Sequence, residues 1–379
     1  MSIKTLIYIS AWDFTDAESD GVCKKILSQI KVFRKAGFTV DYTYIKDGST
    51  WINKDEKEML LGHDHHLSKF AAHRLIAKYL KKHDDYKYVY VRYNKADPYF
   101  ISIVRTLKEY GAKIIVEIPT YPYDNECKSC IRDRAVLCVD KIYRNRIAKY
   151  IDSFVSYSDD KAIFGAPSMH IINGIDFDNI RPINPPLKKD DIINLIGVAS
   201  FTPSHGYDRL IKAIGRYYEN GGSRSLRFHV VGYGEVEKEY RNLVSQYHIE
   251  NQVIFYGKKC GEELDDIYDK MDIGVCSLAL FRVIQDAISS ELKSREYMAK
   301  GLPMIASCSI DVIRSNDLKH VLYVNNDESD INIDRIIEFY DCIYKTHDRV
   351  ETINEIRKYA ECNCSIEETM KPIIRYYIE

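Results

Sequence analysis

Long apolar runs are missing from this sequence. Its N-terminal stretch, MSIKTLIYISAWDF, holds one Lys and a short apolar run, which suits a first buried strand rather than a signal peptide or membrane span. A cytoplasmic location is expected on that ground. A surplus of charge is missing too: 54 Lys and Arg against 56 Asp and Glu leave a formal charge of -2, which argues against a general nucleic-acid binder. Any electrostatic partner must therefore meet a local patch. Repeats and low-complexity tracts are absent. Cysteine is present ten times without a metal or disulfide framework. Cys127 and Cys130 form one Cys-x2-Cys pair, but zinc needs further ligands, normally a second pair at suitable spacing. His63, His65 and His66 cluster in LGHDHHLSKF with no matched Cys or carboxylate frame. The thiols read as reduced, and no metal is expected.

What is present is the pattern of two α/β domains, since 379 residues exceed one ordinary core. A strand at Lys4 to Ser10, a helix at Val22 to Lys35 and the strand TVDYTYI make a parallel crossover unit. A helix from Leu67 to Lys82, a strand from Tyr86 to Asn94 and a strand from Lys113 to Ile118 follow. Arg92 lies at a strand's carboxyl end, where a site would be. Tyr121-Pro122-Tyr123 reads either as an acceptor-side surface or as a rigid turn with packed rings. From Lys128 to Lys149 a helix is expected, with Ile131, Ala135, Cys138 and Ile142 recurring on one apolar face and a strongly basic remainder. It suits an anionic lipid surface or a phosphate-bearing acceptor, and equally a solvated helix packed by its stripe. RPINPPLKKDD, with Pro182, Pro185 and Pro186, reads as a linker. The expected domains are 1-185, 186-360, and a C-terminal helix over 361-379 that returns to the first.

The organising stretch is SSELKSREYMAKGLPMIAS, Ser289 to Ser307. It reads as a helix of about ten residues, ~15 Å long, between the buried strands MDIGVCSL and LPMIAS. Ser290 is the expected N-cap, with stop signals at Gly301 and Pro303. Ser289, Lys293 and Glu296 fall at i, i+4 and i+7, so a hydroxyl, an ammonium and a carboxylate are expected on one face. A helix N-terminus after a buried parallel strand is a site for a diphosphate. The alternative is a surface Lys293–Glu296 pair.

EYMAKGLPMI resembles the EAMAxGxPVV core of the GT-B glycosyltransferases of glycosyltransferase family 4, the retaining, nucleotide-sugar-dependent group. The resemblance implies two Rossmann-like domains facing a cleft, a C-terminal helix crossing back, and no metal or other cofactor. It implies that Glu296 hydrogen-bonds the donor ribose. The partner Glu of the family's Glu-x7-Glu motif falls at Ile288, so the sugar contact is expected from Asp286 or from backbone amides around Ser290, Leu292 and Lys293. Where the family places two cations on the first loop of the C-terminal domain, this chain has Ser200 and His205, with Gly206 retained. The donor diphosphate is then expected to meet Arg282 and Lys293. Gly232 and Gly234 in VVGYGEVE, followed by Gly257, Lys258 and Lys259 in VIFYGKK, resemble the family's GxG and base-flanking segments. Gly21 resembles the glycine of the first N-terminal loop. Asn173-Gly174-Ile175-Asp176 resembles the family's turn before the linker. KIIVEIPTYPYDNE resembles a bacterial polysaccharide-type subgroup and implies Glu117, Tyr121 and Tyr123 beside the acceptor.

The expectation is a hexosyltransferase that uses a nucleotide diphosphate sugar and a saccharide or lipid-linked saccharide acceptor, in surface polysaccharide assembly. It would be cytoplasmic, peripheral at the inner face of the membrane, and would not bind nucleic acid. A non-catalytic partner subunit and a nucleotide-sugar epimerase stay open as alternatives.

Overall fold

The computed structural model describes residues 4–17, 20–63, 69–124, 131–186, 191–283, 288–313 and 318–379. Cys127, Cys130, His65, His66 and Asp286 lie outside them. The chain divides into two compact units, Met1–Ile172 with Thr369–Glu379, and Asn173–Glu368.

Unit 1 contains β1 (Lys4–Ile9), α1 (Gly21–Lys35), β2 (Phe38–Lys46), β3 (Ser49–Lys54), β4 (Lys57–His63), α2 (Lys69–Leu80), β5 (Tyr88–Arg92), α3 (Pro98–Glu109), β6 (Lys113–Ile118), α4 (Ile131–Tyr143), β7 (Ser153–Ser156), β8 (Ala162–Ile163) and β9 (Ala166–His170). They form a nine-stranded sheet, β4-β3-β2-β1-β5-β6-β7-β9-β8. Its centre is parallel, while β3, β4 and β8 pair antiparallel. Leu6, Ile7, Tyr8 and Ile9 are all buried, as strands covered on both faces require. The β3–β4 hairpin was not anticipated. Its turn residues Asp55 and Glu56 sit at φ 49° and 62°, a conformation usually announced by Gly or Asn.

Unit 2 contains β10 (Ile192–Phe201), α5 (Tyr207–Glu219), β11 (Ser225–Gly234), α6 (Glu237–Gln246), β12 (Val253–Gly257), α7 (Gly261–Tyr268), β13 (Ile273–Val275), α8 (Leu292–Lys300), β14 (Met304–Ala306), β15 (Val321–Tyr323), α9 (Ile333–Tyr344), α10 (Arg349–Cys364) and the start of α11 (Ile366–Ile378). Its six strands run parallel in the order β12-β11-β10-β13-β14-β15. The chain winds one way from β10 and then the other, so the carboxyl ends of β10 and β13 flank a topological switch point.

The division falls earlier in the chain than the expected boundary at residue 186. The proline-containing stretch is pinned within unit 2: Arg181 Nη1 meets Asp269 at 2.8 Å, the Asn184 N–H donates to Asp269 at 2.7 Å, and the Ile183 N–H donates to Lys300 O at 2.9 Å. The last residues, by contrast, belong to unit 1. Tyr377 is 1% exposed, donates its hydroxyl to Val89 O at 2.6 Å, and packs edge-on against Tyr88 and Phe38.

Candidate active site

Unit 2 brings two loops together at the switch point. After β10 a short 3-10 turn, Pro203–His205, leads to Gly206 at φ +61°, where a Cβ would lie 2.6 Å from Ala279 Cβ and 2.8 Å from its backbone N. Only glycine fits both the angle and the space. The loop after β13 is tied to that turn by Leu278 N–H to His205 O at 2.9 Å and Ala279 N–H to Ser204 O at 3.2 Å. The α8 helix enters at the same place.

The entry to α8 differs from the expectation. Helix α8 starts at Leu292 with Glu291 as N-cap, and Glu291 makes no side-chain cap bond. Ser290 is not the cap. Its hydroxyl accepts the Asn173 N–H at 3.2 Å, while Asn173 Nδ2 donates to Ser290 O at 2.6 Å. Ser289 lies outside the helix, bridged to Ile310, so it does not share a helical face with Lys293 and Glu296. The first-turn N–H groups, beginning at Leu292, receive no bond from the N-cap side chain and keep the character of an anion site.

Lys293 turns to Ser277, with Nζ 3.2 Å from the hydroxyl. That hydroxyl in turn donates to Glu291, which also accepts the Ser277 N–H at 3.2 Å. The Lys293 ammonium stands 5.5 Å from the centre of the Tyr207 ring. Burial lowers its pKa, and Glu291 and Cys276 pull it partly back. Burial and the nearby Lys293 push the His205 imidazole down to about 3, against its bond with Thr202. The Thr202 N–H donates to His205 Nδ1 at 3.1 Å, so the neutral ring carries its proton on Nε2. His205 is therefore a hydrogen-bond donor at neutral pH, with no positive charge. Glu296 accepts the Tyr268 hydroxyl at 3.0 Å.

Arg282 is committed elsewhere, which corrects its expected place on the diphosphate. Its Nη1 and Nη2 grip Asp208 at 2.9 and 3.0 Å, Nε and Nη2 grip Glu328 at 2.8 Å each, and Nη1 also donates to Pro203 O at 3.0 Å. Glu328 and Asp208 raise its guanidinium far above the ordinary range. A fork already closed on two carboxylates is a loop clamp.

The other donor-side residues divide. Gly232 and Gly234 serve strand packing, since a Cβ would reach 1.9 Å from Ala199 O and 2.3 Å from Phe201 O. Ser200 is exposed beside Tyr233 in the β10–β11 register. Gly257 adopts φ +67° with open space around it, Lys258 is exposed, and Lys259 pairs with Glu263 at 3.1 Å. These residues end strands at the carboxyl edge without being joined to Lys293.

In unit 1, Gly21 opens α1, and nothing lies within 4 Å of an added Cβ. Arg92 and Glu117 do not present themselves to an acceptor. Glu117 is fully buried and accepts from Arg92 at 2.8 Å, Tyr157 at 2.6 Å, Tyr90 at 2.7 Å and Gln29 at 2.8 Å, with Lys25 3.8 Å away. Burial would raise its carboxyl, but Arg92, Lys25 and the phenols outweigh that and hold it at about 2. Tyr123 is likewise inside, donating to Asp140 at 2.7 Å, and Tyr121 packs edge-on against Phe164 at 5.7 Å. The packed-ring reading of this turn is the one that the structure realises.

Sequence reasoning missed Arg295, the largest fully buried side chain among the described residues. It pairs with Asp311 and donates to Asn173 O at 3.0 Å and Ser294 Oγ at 2.9 Å, which locks the Asn173 turn to the entry of α8. Its place in SREYMAK carries no signal, because a charged residue at a helix face ordinarily reads as solvent-exposed.

Two parallel-sheet α/β units, the second with a helix N-terminus at its switch point, are the architecture of the GT-B glycosyltransferases. Within it, residues 193–341 match the family model of glycosyl transferases group 1. Among solved structures, sucrose-phosphate synthase from Thermosynechococcus elongatus is similar over 99% of this chain and 98% of its own, at 16% identity and a TM-score of 0.68. A glycosyltransferase from Rickettsia africae matches over 100% and 98%, at 15% identity and 0.68. Anabaena HepE in complex with UDP matches over 99% and 99%, at 15% identity and 0.64. No curated protein matches in sequence.

Proposed function

We propose that this protein is a retaining glycosyltransferase that moves a hexose from a nucleotide diphosphate sugar to a saccharide or lipid-linked saccharide. It would act in surface polysaccharide assembly, in the cytoplasm at the inner face of the membrane. The observation that carries this reading is the placement of Lys293 and of the α8 N-terminus, which has no side-chain cap bond from Glu291, at the switch point. HepE is known in complexes with UDP and UDP-glucose, which makes uridine diphosphate sugars the first donors to test.

In this mechanism the Lys293 ammonium, the His205 Nε2–H and the α8 N–H groups stabilise the departing diphosphate. Glu296, oriented by Tyr268, accepts the ribose hydroxyls. No metal takes part. Donor affinity should fall about 10- to 100-fold in Glu296→Gln, the scale of one charge-assisted bond, and transfer should persist in a chelator. Unchanged affinity in a folded variant, or rescue by manganese after chelation, would refute the respective step. One observation favours a non-catalytic partner subunit instead: Arg282 is spent on Asp208 and Glu328, and Lys293 is balanced by Glu291. Turnover of no donor in any acceptor screen would support that reading.

A further inference from the structure

Helix α4 and the turn that follows it carry Arg134, Lys141, Arg144, Arg146 and Lys149 against Asp133 and Asp140. The apolar stripe Ile131, Ala135, Cys138 and Ile142 was expected either to pack the helix inward or to belong to a helix lying against an anionic lipid surface or a phosphate-bearing acceptor. The structure does not pack it inward. All four stripe residues are exposed, Ile131 to 86% and Ile142 to 58%. The inward face is instead Leu137 and Asp140, with Ile147 beyond the helix. Asp140 is fully buried and accepts from the Ala96 N–H and the Tyr123 hydroxyl, each at 2.7 Å, and from Tyr93. A satisfied carboxylate thus anchors the helix and leaves its most apolar line toward solvent.

Charge borders that line. Arg134 precedes Ala135 and Lys141 precedes Ile142, and both cations are exposed. Lys141 and Arg144 share Asp124 at 3.2 and 2.6 Å, which leaves the region positive. Isoleucines on one line with cations at its flank match the boundary of an anionic bilayer, where apolar side chains enter the acyl region and long basic side chains reach the headgroups.

We propose that the exposed stripe of α4 is the surface by which unit 1 lies on an anionic lipid bilayer, with Ile131 and Ile142 inserted and Arg134 and Lys141 at the lipid phosphates. This deepens the proposed function, since it would bring the enzyme to a lipid-linked acceptor, but the binding itself needs no turnover. Each cation near such a surface contributes about fivefold in affinity, weakened by salt.

The test is sedimentation of the full chain with vesicles of phosphatidylglycerol and phosphatidylcholine, against phosphatidylcholine alone. Binding is expected only to the anionic vesicles, at least tenfold weaker for Ile131→Ser with Ile142→Ser, and at least tenfold weaker for Arg134→Glu with Lys141→Glu. If the serine pair proves unstable, Ile142→Gln alone should weaken binding about threefold. Absence of vesicle binding overturns the proposal, as does binding that ignores the isoleucine changes. Self-association that depends on Ile131 and Ile142, without vesicle binding, would assign the stripe to a second copy and overturn it as well. Transfer to a soluble acceptor separates the readings: normal transfer without vesicle binding removes the surface alone, and vesicle binding without transfer removes the proposed activity alone.

Discussion

Lys293 and Arg282 carry the same formal charge in opposite settings. Lys293 donates to one hydroxyl, is desolvated and stands in the field of Glu291, so its charge is partly offset but strongly felt by a bound anion. Arg282 has its fork filled. Lys293→Ala should therefore lower the transfer rate at saturating donor by roughly 10²–10³-fold, the scale of losing one preorganised donor, with little change in melting temperature. Arg282→Ala should do the reverse, costing about 1–3 kcal/mol of stability while the folded fraction transfers within a few-fold of the parent. Equal losses of rate in both variants, at matched stability, would refute this assignment. Glu117 supplies a pH prediction. Its folded carboxyl sits at about 2 against an ordinary 4.5, so the unfolded chain binds the proton first as pH falls. Its contribution is present above about 4.5 and is lost progressively toward about 2. Glu117→Gln strands Arg92 and Lys25 and should cost roughly 3–5 kcal/mol at neutral pH. Denaturant unfolding at pH 7 and pH 3 should show the variant's deficit shrinking in acid; a deficit that grows would contradict the linkage.

At the scale of elements, glycine marks which loops are defined by packing and which are open. Gly206→Ala must place a methyl against Ala279 at φ +61°, and should both destabilise unit 2 by about 1–3 kcal/mol and disturb transfer. Gly21→Ala meets nothing within 4 Å at the start of a helix, so melting temperature should be unchanged or slightly higher. If Gly21 approaches the donor, that same variant should raise the donor KM, and an unaltered KM would remove Gly21 from the site. The turn of the β3–β4 hairpin shows the converse case. Left-handed Asp55 and Glu56 give the chain no glycine by which to announce the turn, so a hairpin with an exposed outer strand reads as loop.

Across the whole molecule, the order of the chain is not the order of the units. Residues 369–379 complete unit 1, where Tyr377 fills an aromatic cluster with Phe33, Phe38 and Tyr88. Tyr377→Ala should cost unit 1 about 3–5 kcal/mol; an unchanged unfolding profile would show that the cluster is dispensable. No helix among the described residues is long and apolar enough to cross a membrane. Local pattern alone determined much: the β-branched runs of β1, β6 and β10 and the Gly301 stop of α8, because each depends on neighbours within a few residues. It also placed Lys293 at a helix N-terminus beside a buried strand. Tertiary structure alone decided which cation has its donors filled by carboxylates. Asp208 and Glu328 lie 74 and 46 residues from Arg282, Asp311 is 16 from Arg295, and Arg92 is 25 from Glu117. Such pairings are invisible to periodicity, which reports a residue's face and not its partner. The same limit applies to α4: its stripe was legible as apolar, but its direction was set by Asp140 finding Tyr93, Ala96 and Tyr123 in the core, since a buried carboxylate with three donors outweighs the outward exposure of two isoleucines.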